Sequence, residues 1–335
     1  MPNDQYIPQL LLRRFASRVE ASNKRNHHKH FVWQHSKESP AHEKGTWNVA
    51  SEANYYISNA AADENLKKFE GKIGEVLGEL DKGEDPNRFS VALWRFTMSL
   101  AFRTKAFPQK STEIFTDAIG DLTSSKHAES RKVWIRQGLY QRIEALPDEQ
   151  AQEIQNILAN PHYAQEIEKY LENSVINGFL AATNGTLGDS FLNDEFLKAR
   201  NDALAGTNTL QSLSNAFPVK HWKIQKTGDH PVVLGDVGPL ACDRSGNFSN
   251  IIAPKDVLEH VILPLSHNSI LVGSLGGSEH QFDIGDVNKA SAQMSHHYFC
   301  ASESEKFDAL TEEISSKPFV STDEVEQIAA SVFKL

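Results

Sequence analysis

Cysteine is almost absent from this sequence, with Cys242 and Cys300 the only two in 335 residues. Two thiols so far apart exclude a CxxC redox or metal motif and a disulfide framework, and both read as small buried hydrophobes. No apolar run approaches the roughly 20 residues that a membrane-crossing helix requires. The first residues, with Asp4, Arg13 and Arg14 around a short Leu-rich run, lack the plan of a secretion signal, so the expectation is a cytoplasmic protein with no membrane partner. Glycine and proline are sparse, which excludes collagen-like and low-complexity architectures. Several signatures of chemistry are missing as well: there is no GxxxxGK[ST], no GxGxxG after a strand, no HExxH, no GxSxG and no EF-hand loop. The Gly-rich stretch SLGGSEH, residues 274–280, lacks the lysine and the following helix of a phosphate loop and reads as a hairpin turn.

What the sequence does contain is the composition of a globular protein, 39% hydrophobic and 23% charged, with a formal net charge of −10. That balance argues against indiscriminate coating of nucleic acid, which needs a positive face, while allowing a local basic patch. Periodicity divides the chain into four stretches of one domain: a helix and hairpin in 1–60, a helical region in 61–216, short strands in 217–283 and closing helices in 284–335. The pattern predicts an α+β fold, a large mainly helical domain with a small antiparallel sheet formed mostly by the last third and an N-terminal hairpin.

Near the start, Pro8 at a first helical position followed by Leu11, Leu12, Phe15 and Val19 predicts a short helix packing inward, with Arg13 and Arg14 on its solvated side. The basic segment SNKRNHHKH carries His27, His28 and His30, too closely spaced to form a closed zinc site alone. Phe31 and Trp33 before SKESPAHEKG, and Trp47 and Val49 after it, predict a hairpin. A basic loop beside aromatic strands is also the arrangement that stacks single-stranded nucleic acid, although Lys24, Arg25 and Lys29 are few for that purpose.

In the helical region Leu66, Phe69, Ile73, Val76, Leu77 and Leu80 form one stripe, with Glu64 and Glu70 off it and not helical neighbours of each other. Asp85 and Pro86 open the next helix, whose face Phe89, Leu93, Phe96, Leu100 continues into Arg103. A guanidinium at the end of an apolar stripe must snorkel or be held by a carboxylate, which makes Arg103 a candidate site residue. Further helices are predicted at about 128–145, 147–159, 162–183, 189–203 and 208–216. From Pro218 the period shortens: VKHWKI, PVVL, PLAC, HVILPL and SILVGSL are strand candidates. A helix is then predicted from Ile284 to about Ala301, with Tyr298 on its inner face, and a last one in STDEVEQIAASVFKL.

The stretch KTGDHPVVL, Lys226 to Leu234, delivers Asp229 between Gly228 and Pro231 to the mouth of a strand. Such a carboxylate either closes its own turn or does chemistry. With His230, with His267 in PLSHNS, and with Arg103, Glu64 and Glu70, it makes a distributed constellation that can run acid–base hydrolysis or hold a divalent cation if the chain brings its members together.

Four pieces resemble the uncharacterised, mainly prokaryotic family catalogued as domain of unknown function 4238. They are Gln5-Tyr6-Ile7-Pro8 with Leu12-Arg13-Arg14-Phe15; Glu64 and Glu70 with Arg103-Thr104; Thr227-Gly228-Asp229-His230-Pro231-Val232; and Pro264-Leu265-Ser266 with Asn288. The family has histidine where Gln5 stands and serine where Gly228 stands, and a glutamine amide does not titrate. The resemblance implies helices around a small sheet, with the N-terminal and C-terminal pieces meeting, and no established activity. Two readings follow. In the first, Arg13, Arg103, Asp229 and Glu64 or Glu70, with Asn288, converge as a phosphodiester hydrolase, nuclease-like, of the kind that serves phage defence or toxin systems, with a nucleic-acid partner. In the second, the same residues buttress a non-catalytic ligand-sensing or protein-interaction module.

Overall fold

The computed structural model describes residues 3–21, 28–53, 60–104, 116, 120–121, 123–125, 128–184, 219–251, 258–276 and 280–317. The chain forms two compact units: Met1–Gln109 with Leu197–Val320, and Lys110–Phe196 with Ser321–Leu335. The first unit opens with β1 (Asn3–Gln5), α1 (Gln9–Leu12), a 3-10 turn at Arg13–Phe15, β2 (Arg18–Ala21), β3 (His28–Ser36), β4 (His42–Gly45) and β5 (Ser51–Ala53). Two helices follow, α2 (Ala60–Asp81) and α3 (Ser90–Arg103). The second unit carries α4 (Ala128–Glu144), α5 (Asp148–Leu158) and α6 (Pro161–Asn184). The first unit then resumes with β6 (His221–Lys226), β7 (Leu234–Gly235), β8 (Leu240–Asp243), β9 (Phe248–Asn250), β10 (Leu258–Ser266) and β11 (Ser269–Ser274). It continues with α7 (Ile284–Met294), β12 (Tyr298–Ala301) and α8 (Asp308–Thr311). No helix among the described residues is long and apolar enough to cross a membrane.

The fold is α+β, with antiparallel strands forming two five-stranded sheets and a two-stranded ladder of β1 and β5 rather than one small sheet. One sheet, in the order β6-β11-β10-β8-β9, belongs wholly to the last third. The other joins the ends of the chain: β3 pairs with β2, β4 and β12, and β12 pairs with β7. The predicted hairpin is present as β3 and β4, but Trp47 lies beyond it in a 3-10 turn, Thr46–Asn48, with its ring against Gly45 and edge-on to Phe31.

The helical stripes fold as their spacing demands. Leu66, Ile73, Leu77 and Leu80 of α2 are buried, as are Leu93, Phe96, Leu100 and Arg103 of α3. The Asp85 carboxylate accepts the Asn87 N–H, capping the turn before α3, as the Asp-Pro pair predicts. On the last-third sheet, Trp222 of β6 lies across Gly273 of β11, where a Cβ would approach its ring to 2.8 Å, and its indole N–H donates to Ser90.

Other expectations are corrected. The first helix ends at Leu12 and its 3-10 extension at Phe15, so Val19 is a solvent-facing residue of β2 rather than part of the inward stripe. The helix from Ile284 stops at Met294, and Tyr298 belongs to β12; burial on both sides of that strand gives an apolar run that a helix period also fits. Of PVVL only Leu234 makes a ladder, together with the following Gly235, which is required there because a Cβ would come within 2.8 Å of the Ser291 carbonyl oxygen. SLGGSEH connects β11 to α7 instead of turning back into a strand, residues 277–279 lying outside those described. The helices predicted at 189–203, at 208–216 and in the last segment also fall outside the described residues.

Candidate functional site

Side-chain amides do the work of missing strand neighbours throughout the first unit. Asn87 accepts the Trp222 N–H at 2.7 Å and donates to the Trp222 carbonyl at 3.1 Å. Gln225 makes the same pair of bonds to Phe282, at 2.9 and 2.7 Å. Asn288, buried on α7, accepts the Val233 N–H at 3.0 Å and donates to the Pro231 carbonyl at 2.8 Å. A primary amide carries both a donor and an acceptor and so can replace one peptide group. Asn288 is therefore the clamp that fixes the strand mouth after Asp229.

The predicted constellation divides into two groups. Deep in the unit, the Arg103 guanidinium at the end of α3 donates to Glu70 of α2 at 2.5 Å and to the Gln5 backbone carbonyl at 2.6 Å. The Gln5 side chain faces the other way and donates to the carbonyls of Thr46 and Val49 at 2.9 and 3.3 Å. An imidazole N–H at that position would make such a bond as well, so glutamine here and the histidine that the resemblance implies are both donors.

The second group is a rim built from four chain segments. Thr227 donates its N–H to the Asn268 carbonyl, and Val232 donates to the His267 carbonyl, so the turn 227–230 is laid along the β10–β11 turn. Gly228 takes a left-handed φ of 61° to make this turn. His267 in turn reaches the Arg14 carbonyl through both its backbone N–H and its Nδ1, each at 3.1 Å. With Nδ1 donating, the neutral ring leaves Nε2 as an acceptor. Asp229, His230 and His267 are all exposed on this edge. Arg14 closes it: its guanidinium bonds both oxygens of Asp81, at 2.5 and 2.7 Å, and the Leu265 carbonyl at 2.9 Å. Arg14 holds the Asp81 carboxyl below its ordinary range, chiefly through these hydrogen bonds.

Glu70 and Asp81 lie eleven residues apart on α2, about 16 Å along its axis, so the deep pair and the rim sit at different heights of the helix. Glu64 joins neither group: it is exposed and paired with Lys68, which lowers its pKa. Arg13 is also exposed and donates to Gln9. Among the described residues no group of three or more His, Cys, Asp or Glu comes together to hold a metal.

Sequence reasoning placed Arg14 on a solvated face and did not reach Asp236. The Asp236 carboxylate is buried against the start of β12, accepting the backbone N–H groups of His296 and His297 at 2.7 and 2.8 Å and that of Tyr298 at 3.3 Å. Burial pushes its pKa up, against the pull of those three donors. Beside it the Tyr298 hydroxyl meets that of Tyr6 at 3.0 Å, joining the N-terminal segment to the C-terminal sheet. Burial likewise raises the Tyr298 pKa.

The class defined by these features is an α+β protein whose two ends share a sheet and whose polar residues fasten loops to strands. The chain belongs to the family described as protein of unknown function (DUF4238), whose model matches residues 5–328. No curated protein and no solved structure matches it.

Proposed function

We propose that the chain is a non-catalytic ligand-sensing or protein-interaction module that presents the rim of Asp229, His230 and His267 as its recognition edge. The observation that carries this reading is the state of Arg103: its side chain is 4% exposed and already committed to Glu70 and the Gln5 carbonyl. A guanidinium so engaged is a buttress, because meeting a phosphate would require breaking a pair whose cation is buried. Arg14 is engaged too, by the half-exposed Asp81 carboxylate and the Leu265 carbonyl. The exposed Asp229 turn, held from behind by Asn288, His267 and Asn268, offers a carboxylate and two imidazoles on a rigid base, as recognition loops do.

A second reading, hydrolysis of a phosphodiester with a divalent cation, as in a nuclease-like effector of phage defence, is favoured by one observation. The His267 Nε2, left as an acceptor by the Nδ1 bond to Arg14, stands on the same edge as Asp229 and is suited to act as a general base. The two readings separate on labelled single- and double-stranded RNA and DNA incubated with the protein and Mg²⁺, Mn²⁺ or EDTA. The binding-module reading predicts no cation-dependent cleavage beyond that of an Asp229→Ala, His267→Ala double variant. Cleavage that disappears in that variant, with its fold intact, establishes the hydrolase.

A further inference from the structure

At the opposite end of β10 from the rim, about 20 Å along the strand, stands a second pair of histidines. His260 is a buried residue of β10, 5% exposed, and its Nδ1 is a buried nitrogen with no hydrogen-bond partner. An imidazole nitrogen left so is costly in a folded protein unless something accepts or donates to it. Facing it is His280, exposed, with ring centres 5.6 Å apart and planes at 34°. Phe282 stands edge-on to both rings, 5.5 Å from His260 and 4.5 Å from His280, and fixes their mutual position.

We infer that His260 and His280 form a two-imidazole site for a divalent transition cation of the Zn²⁺ class, with its remaining coordination positions open to solvent on the His280 side. Two imidazoles bound at metal–nitrogen distances of about 2.0–2.1 Å in tetrahedral geometry carry their ring centres roughly 5–6 Å apart, the separation found here. The Glu259 carboxylate is near enough to His260 to act on it electrostatically. Cys242, directly across the ladder from His260, turns its thiol to the Asp243 carbonyl at 3.5 Å.

Calorimetric titration of the full chain with Zn²⁺ near neutral pH tests this. The site is the saturable component that His280→Ala weakens by about tenfold or more, a variant that leaves the fold intact because His280 is exposed. His260→Gln removes the same component, while the rim variant His230→Ala with His267→Ala keeps it. If His260→Gln disturbs folding, a Zn²⁺-dependent rise in melting temperature that is present in the wild type and absent in His280→Ala supports the site. The absence of saturable binding, or Zn²⁺ affinity unchanged in His280→Ala, overturns the inference.

Discussion

Arg103 and Glu70 meet at 2.5 Å between the end of α3 and the middle of α2, and the guanidinium also holds the backbone of the N-terminal strand at Gln5. Three segments distant in sequence are thereby pinned by one cation. Removing it leaves Glu70 partly buried without this partner and takes one donor from the Gln5 carbonyl. Arg103→Ala is expected to lower stability by about 3 kcal/mol, the lower end for a broken buried pair because Glu70 keeps some solvent, and urea unfolding measures it. Arg103→Lys retains the charge but not the fork, and recovers only part of the loss.

Asn288 answers two peptide groups at once, and the two substitutions Asn288→Ala and Asn288→Asp separate its functions. Alanine abandons both bonds and costs about 1–3 kcal/mol for each group left dry. Aspartate keeps an acceptor for the Val233 N–H but turns a carboxylate oxygen toward the Pro231 carbonyl, so it destabilises more than the loss of one bond alone. Hydrogen exchange at the Val233 amide reports the difference: fast in the alanine variant, slower in the aspartate variant at equal global stability.

His35 is fully buried, its ring stacked at 4.7 Å on Phe299 and edge-on to Phe307, with Nε2 at 3.2 Å from the Glu303 carbonyl. Burial lowers its pKa, outweighing the Glu303 bond and the Asp308 charge, while His42 adds to the lowering. A depressed folded value means that the unfolded chain takes up the proton first. The stability that neutral His35 contributes is therefore full above the unfolded value, about 6.5, and is lost as pH falls through the folded value. Unfolding free energy measured from pH 8 to 5 should decline below about 6.5, and His35→Phe should flatten that decline.

Gly235 permits the close approach of α7 to β7, since a Cβ there would lie 2.6 Å from the Ser295 Oγ and 2.8 Å from the Ser291 carbonyl oxygen. The serine hydroxyl can turn aside, but the backbone oxygen cannot. Gly235→Ala is expected to cost about 1–3 kcal/mol by overpacking, read as a lowered urea midpoint, whereas Gly246→Ala tests a left-handed φ with open space around it.

Much of this architecture is legible in the residues. The α2 and α3 stripes and the β3–β4 hairpin follow from period and turn chemistry, while the strands around Val261 and Leu271, buried on both faces, follow from apolar runs bounded by turn residues. Arg103 was legible as a guanidinium needing a carboxylate, and Glu70 supplies it. Tyr298 was not legible as a strand residue: β12 is covered on both faces, and a short apolar run has no period to distinguish strand from helix. The engagement of Arg14 by Asp81 and of Asp236 by the amides at His296 and His297 is a matter of tertiary placement across 60 residues or more, which no local pattern encodes. Asp229 and His267 were legible as turn residues, and their common edge depends on backbone bonds between two turns that lie far apart in sequence.

The proposed division of roles is structural for Arg103 and recognition for the exposed Asp229 edge. It is tested most directly by measuring urea unfolding and cleavage of labelled nucleic acid, with Mg²⁺ or Mn²⁺, for Asp229→Ala and Arg103→Ala beside the wild type. Wild-type stability is expected for Asp229→Ala, a marked loss of stability for Arg103→Ala, and no cation-dependent cleavage by any of the three. Cleavage by the wild type that is lost in both variants while both remain as stable as the wild type would contradict it and place Arg103 and Asp229 in one catalytic centre.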